Sequence, residues 1–212
     1  MKFGYSIIAS NILDLKKDID NFYFVDFLHI DIMDGHFVQD ISIGHNIIND
    51  IKKYYPNKFI DIHIMTTNPT NILDKLINAN RVFIHIESLN DNFKIDEFIS
   101  FSKKNNITIG LAISPETSIY NLLYYLDKIK NVMIMSVKPG KCGQQFIPET
   151  INKINIIKKN FPDTTIQVDG GVCSTNIKLL YDNNVDSVIC GSSLHREKNI
   201  IGIIKYYKKY NI

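Results

Sequence analysis

The feature that most constrains this chain is a strict alternation of two hydrophobic periods. Short β-branched apolar runs recur at about Phe3–Ile8, Phe27–Ile32, Phe59–Met65, Arg81–Ile86, Ile107–Ile113, Asn131–Val137, Thr165–Val168 and Ser187–Cys190. Longer amphipathic stretches lie between and after them, at about Leu13–Phe22, Asn46–Tyr55, Asn71–Asn78, Lys94–Asn105, Ser118–Leu126, Glu149–Asn160, Thr175–Asn183 and Asn199–Tyr210. In Glu149–Asn160 the stripe is explicit: Ile151, Ile154, Ile156 and Ile157 share a face, with Lys153 and Lys158 off it. Strands that each run into a helix build βαβ units and a parallel sheet. Eight such units in 212 residues come to about 26 residues each, which predicts an α/β chain folded as a compact (β/α)8 TIM barrel. The rival, an open doubly wound sheet, wants a glycine-rich turn after the first strand. Here that strand runs into Ala9-Ser10-Asn11. No linker-like stretch interrupts residues 1–212, so a single domain is expected.

In such a barrel the chemistry sits at the C-terminal ends of the strands, and alternate strand residues face the interior. In the second strand His29, Asp31 and Met33 share one face, with Ile30 and Ile32 on the other. The third strand repeats the pattern with Asp61, His63 and Met65, and the seventh turns Gln167 and Asp169 inward. Two imidazoles, His29 and His63, and two carboxylates, Asp31 and Asp169, thus converge on one mouth. Buried charge is costly unless partnered. One divalent metal satisfies all four, and an internal salt-bridge network is the alternative. Imidazole with carboxylate suits Zn²⁺, Fe²⁺, Mn²⁺ or Co²⁺ better than Mg²⁺ or Ca²⁺.

Two further strand ends have the makings of an anion site. Gly170-Gly171 follows the seventh strand and Gly191-Ser192-Ser193 the eighth. Small residues let backbone N–H groups approach a phosphate, and these are the loops where TIM barrels hold one. The sixth strand leads into Lys138-Pro139-Gly140-Lys141-Cys142-Gly143-Gln144, a glycine-flanked basic loop that could close over an anionic ligand.

Composition narrows the classes. The formal net charge is +2 and there is no long like-charge block, which argues against a nucleic-acid binder. The three cysteines, Cys142, Cys173 and Cys190, are odd in number and lack CxxC spacing, so a reducing compartment is expected. The opening MKFGYSIIAS lacks the plan of a signal peptide, and no apolar run approaches the ~20 residues of a membrane span. A cytoplasmic location is the resulting expectation; a small-molecule partner and a homo-oligomeric state are expected besides, though composition does not set them.

Taken together, these segments resemble the ribulose-phosphate 3-epimerase family over essentially the whole chain. His29-Ile30-Asp31-Ile32-Met33-Asp34-Gly35-His36-Phe37-Val38 looks like its second-strand signature and Asp61-Ile62-His63-Ile64-Met65 its third-strand motif. Met135-Ser136-Val137 with Pro139-Gly140, Gly143-Gln144 and Phe146-Ile147 looks like its sixth-strand loop. Val168-Asp169-Gly170-Gly171-Val172 and Gly191-Ser192 look like its last two motifs, and Ser6-Ile7-Ile8 its first. The resemblance implies 1,1-proton transfer at C3 of a phosphorylated ketose, ribulose 5-phosphate. Asp31 and Asp169 would be the two acid/base groups, and His29, Asp31, His63 and Asp169 the ligands of one divalent metal. Substrate contacts are expected from Ser6, His63, Gly140, Lys141, Cys142, Gly143, Asp169, Gly170, Gly171, Gly191 and Ser192.

The chain departs from the family pattern in several places. Gln39-Asp40 stands where Pro-Asn is common, and Lys138 replaces Asn or Asp. Lys141-Cys142 replaces an aromatic-small pair, and Gln167 stands where Glu is common. Three other readings stay open at this point. They are the same chemistry on allulose 6-phosphate, a Schiff-base aldolase using Lys138, and a silent sugar-phosphate-binding paralogue. His85 shares an inward face with Glu87 and reads as a satisfied core histidine; His36 reads as structural.

Overall fold

A computed structural model describes residues 1–89 and 94–209. Eight parallel strands close on themselves in chain order: β1 (Lys2–Ser6), β2 (Phe27–Met33), β3 (Phe59–Met65), β4 (Arg81–His85), β5 (Thr108–Ile113), β6 (Asn131–Met135), β7 (Thr165–Asp169) and β8 (Ser187–Cys190). Around them lie α1 (Leu15–Asn21), α2 (Asn46–Tyr54), α3 (Thr70–Leu73), α4 (Ile95–Asn105), α5 (Ile119–Leu123), α6 (Thr150–Asn160), α7 (Ile177–Asp182), α8 (Ser192–Arg196) and α9 (Ile200–Lys209). The expected barrel is present, and no described helix is long and apolar enough to cross a membrane.

The differences from the sequence reading fall at element ends. The first strand stops at Ser6, and Ile7–Ala9 form a 3-10 turn. The fourth stops at His85 before a second such turn, Ile86–Ser88. The second and seventh instead run on to Met33 and Asp169. The fifth begins at Thr108 because Asn106, at φ 54°, ends α4 in a left-handed cap. Helices α3, α5 and α7 are shorter than their apolar stripes suggested. The sequence reading lacked α8 altogether: five residues give little more than one turn, too little for a period to show. For the last helix, Tyr210 lies outside the described residues.

The strand period sorts the apolar residues into two cores. Ile30, Ile32, Ile62, Ile64, Ile84 and their counterparts face out and pack under the helices. A smaller cluster fills the barrel itself: Phe27, Phe83, Ala112, Met133, Met135, Val137 and Ile189. Its rings need room. A Cβ built on Gly110 would lie 2.2 Å from the Phe83 ring and 2.9 Å from the Asn131 carbonyl, so only glycine lets that ring cross the axis.

The lower end of the barrel carries a polar plug. The Arg81 guanidinium lies 5.1 Å from the ring centres of Phe27 and Phe83 and 5.6 Å from that of Phe59. Its Nε donates to Asp61 Oδ1 at 2.6 Å, and a terminal nitrogen donates to Gln167 Oε1. Gln167 Nε2 donates to Asp61 Oδ2 at 2.6 Å, and Ser187 Oγ donates to Gln167 Oε1 at 2.8 Å. The departure of Gln167 from the family's usual Glu acquires a reason here: an amide can donate to Asp61 and accept from Arg81 at once, whereas a second carboxylate would oppose Asp61.

Candidate active site

Strand register brings the mouth residues together. His29 pairs with Asp61, Asp31 with His63 and Met33 with Met65 across β2 and β3, while Met135 lies beside Asp169 across β6 and β7. Asp31 Oδ1 stands 3.3 Å from His29 Nε2 and 3.1 Å from His63 Nδ1. Asp169 Oδ2 stands 3.9 Å from the first of these nitrogens and 3.6 Å from the second. His29 and His63 are fully buried, Asp31 nearly so, and the Asp169 side chain is 14% exposed.

These four groups fit a metal on two counts. Their ligand atoms all lie within 4.8 Å of one another. In a tetrahedral site with bonds of ~2.1 Å, ligands stand roughly 3.4 Å apart, and the separations above bracket that value. The second count is an orphan: His29 Nε2 is buried with no hydrogen-bond partner, while its Nδ1 is engaged by Asp61 Oδ2 at 2.8 Å. A buried imidazole nitrogen facing two carboxylates without a bond is costly, and a cation among them removes the cost.

The two carboxyls differ in their surroundings. Burial raises both. At Asp31 the imidazoles of His29 and His63 outweigh it and hold the group well below the usual carboxylate range. At Asp169 burial dominates; His29 opposes it, Asp31 and Asp61 add to it, and the carboxyl is pushed up to about 7. Ser6 Oγ donates to Asp31 Oδ2 at 2.9 Å, so the first strand's serine orients this carboxylate and also lines the mouth.

Above them opens a cavity of about 590 Å³, lined among others by Ser6, Asp31, Asp169, Met33, Met65 and Met135. Gly140, Lys141, Cys142, Gly143, Gly170, Gly171, Gly191 and Ser192 line it too, so the sequence-expected loops do share one space. His63 stands behind the two carboxylates and is not among the lining residues. At Gly171 the backbone has φ 63°, and a Cβ would meet Phe146 N at 2.5 Å. Gly191 is roomier, with only ordinary contacts of 3.6–3.8 Å to Ala9, Cys142 and Ser6. The loop after β6 is tied to itself by Gln144, whose Nε2 donates to the carbonyls of Lys138 and Lys141 at 2.6 and 2.8 Å. Lys138, Lys141 and Cys142 remain exposed.

Several supporting residues were not read from the sequence. Ser136 Oγ donates to the carbonyls of Asp169 and Gly170 at 3.0 and 2.6 Å, clamping the end of β7. Asn176 holds the following loop, donating to Gly171 O at 3.0 Å and accepting from Cys173 N at 2.9 Å. Asp34, inside the second-strand signature, is a loop anchor: it accepts from the N–H groups of His36, Phe37 and Thr67. Such roles follow from contacts between distant segments, and only the Asx-type pairs are local enough to be legible in sequence.

Known proteins are similar to this chain in sequence and in fold. A profile of the Ribulose-phosphate 3 epimerase family matches residues 2–195. The ribulose-phosphate 3-epimerase of Chlamydia pneumoniae is 37% identical over 177 residues, which cover 80% of this chain and 76% of that one. The cytoplasmic isoform of ribulose-phosphate 3-epimerase from Oryza sativa subsp. japonica is 31% identical over 200 residues, covering 91% and 86%. Among solved structures, 3-hexulose-6-phosphate synthase from Salmonella typhimurium superposes with a TM-score of 0.73 over 97% of this chain and 95% of that one. At 17% identity that likeness speaks for the fold alone. On the match over residues 2–195, the chain belongs to the ribulose-phosphate 3-epimerase family.

Proposed function

We propose that this chain is an isomerase that inverts C3 of D-ribulose 5-phosphate to give D-xylulose 5-phosphate. The observation that carries the reading is the pair of mouth carboxyls, Asp31 and Asp169, delivered by β2 and β7 and facing one cavity. Inversion needs proton transfer on two faces, and carboxyls on separate strands can take one face each. One carboxylate removes the C3 proton while the other returns a proton from the opposite side.

His29 Nε2, Asp31, His63 Nδ1 and Asp169 would hold one divalent transition metal, Zn²⁺, Fe²⁺, Mn²⁺ or Co²⁺. When bound it supplies Lewis-acid stabilisation of the enediolate charge that a C3 proton leaves behind. The backbone at Gly170, Gly171, Gly191 and Ser192 would bind the phosphate, with Ser6 and the Gly140–Gly143 loop closing on the sugar. Met33, Met65 and Met135 give the mouth a soft apolar floor that lowers local polarity. We propose a cytoplasmic location, in keeping with three cysteines that form no disulfide. We also propose a homo-oligomer, because Ile12, Leu13 and Ile41 leave large apolar side chains exposed; light scattering checks it.

The test is turnover of ribulose 5-phosphate, with allulose 6-phosphate alongside, before and after stripping with chelator. Activity on the pentulose phosphate should vanish with the metal and return on adding it back. Full activity in rigorously metal-free protein would overturn the metal assignment, and a clear preference for the hexulose phosphate would move the substrate.

A further inference from the structure

His85 and Glu87 play no part in the scheme above, yet they lie in line with it. His63 Nε2 stands 2.8 Å from His85 Nε2, with the two rings stacked at 4.9 Å and 28°. His85 Nδ1 stands 2.9 Å from Glu87 Oε2. Glu87 is itself tied down: its Oε1 accepts from Ser114 N at 2.8 Å and from Thr117 Oγ1 at 2.5 Å. Both donors belong to the loop after β5. Lys153 of α6 pins that loop, donating to the carbonyls of Ser114, Pro115 and Thr117 at 2.7–2.8 Å. Phe37, just past the second-strand signature, covers the His85 ring at 4.7 Å.

The chemistry of these groups gives the line a direction. A carboxylate only accepts, so His85 Nδ1 must donate to Glu87. A neutral imidazole carries one proton, so His85 Nε2 is then an acceptor and His63 Nε2 must donate to it. His63 Nδ1 is left with its lone pair facing Asp31 and Asp169. His29 reaches the opposite tautomer more directly, since Asp61 takes its Nδ1 proton and frees Nε2. We infer that His85 and Glu87 are positioning residues that hold His63 in the Nδ1-ligating tautomer and orientation, and that the loop after β5 thereby sets the metal affinity of the site. This rests on the metal site proposed above and extends it to residues that touch neither metal nor sugar.

The decisive variant is Glu87→Gln, which keeps the shape. Its amide oxygen must stay with the Ser114 N–H, because an NH2 there would meet a donor. The NH2 then faces His85 Nδ1, which has to accept. The His85 proton moves to Nε2 and the His63 proton to Nδ1, the atom meant for the metal. The full chain and its variants are stripped with chelator, and Co²⁺ affinity is measured by competition with a chromophoric chelator, along with the visible Co²⁺ spectrum and the melting temperature of the metal-free form. Glu87→Gln should bind Co²⁺ on the order of 10- to 100-fold more weakly, with an altered spectrum and little change in metal-free melting. At saturating Co²⁺, kcat should recover most of the parent value. If Glu87→Gln does not fold, Thr117→Val decides, since it removes one Glu87 partner and should weaken Co²⁺ binding in the same direction by less. Parent-like Co²⁺ affinity and spectrum in the folded variant would overturn the inference and leave the proposed site standing. A parent chain that binds no Co²⁺ would sink both, and that outcome is separate from the first.

Discussion

The two ends of the barrel interior both bury polar side chains and treat them in opposite ways. At the lower end Arg81, Asp61, Gln167 and Ser187 form a closed set in which both Asp61 oxygens and both ends of the Gln167 amide are engaged. At the mouth His29 Nε2 has no hydrogen-bond partner, and Asp169 comes no nearer than 3.6 Å to either imidazole. A buried polar group that its neighbours leave unsatisfied calls for an explanation, and at the mouth of a cavity an arriving ligand supplies one. The lower set is structural because it is complete. The upper set suits ligand binding because it is not. Asp61 joins the two, accepting from Arg81 below and holding His29 above.

The comparison is broken most severely at Asp169 and Asp31. Asp169→Asn and Asp31→Asn should each lower epimerisation by roughly 10²–10⁴-fold, since an amide cannot serve as the base. Product formed by the parent in D₂O should carry deuterium at C3 by NMR. Metal content must be measured in each variant, and near-parental turnover by metal-loaded Asp169→Asn would place the second acid/base group elsewhere. The stability of metal-free Asp169→Asn should be unchanged or improved, because without metal that carboxyl is poorly satisfied where it stands.

The converse holds at the lower end. Arg81→Met should cost about 3–5 kcal/mol in urea unfolding, because it strands the Asp61 carboxylate in the core. A loss below ~1 kcal/mol would mean that Gln167 and His29 suffice for Asp61, and the distinction between the two ends would weaken. Gly171→Ala should cost about 1–2 kcal/mol for its left-handed backbone, with the clash of its Cβ against the Phe146 backbone added to that. It should also raise KM for the phosphorylated sugar with metal content unchanged, and an unaltered KM would move the phosphate from this loop.

A pH-dependent effect concerns Lys58, a buried cation beneath the barrel whose Nζ donates to the carbonyls of Tyr23 and Val25. Burial, helped by Lys208 and opposed by Asp26, pushes it down from 10.5 to about 8. Between these values the folded chain has released a proton that the unfolded chain still holds, so Lys58 contributes a stability that grows as pH rises from about 8 to 10.5. Denaturation of the parent and of Lys58→Met across that window should show the parent gaining stability relative to the variant as pH rises, and a constant difference would refute the shift.

Much of the mouth was legible without coordinates because a strand's period is two. Once His29, Asp31, His63 and Asp169 were placed on strands, their facing inward followed from their isoleucine and valine neighbours facing out. The glycine pairs after β7 and β8 were legible for a similar reason, since their position in an eightfold count is itself informative. Neither argument reaches Arg81, which reads as an ordinary strand start, or α8, which is too short for a period.

The sequence by itself determined the eightfold alternation, the closure it implies and the inward-facing set His29, Asp31, His63 and Asp169, because these depend on local periodicity and residue chemistry. Only the tertiary structure decided which partners each buried polar group has. That His29 lacks a partner at Nε2, that Gln167 completes Asp61, and that His63 leans on His85 depend on contacts between strands whose spacing along the chain carries no trace of them. They arise when barrel closure brings eight separate strand faces onto one axis, and hydrogen bonding is decided there atom by atom.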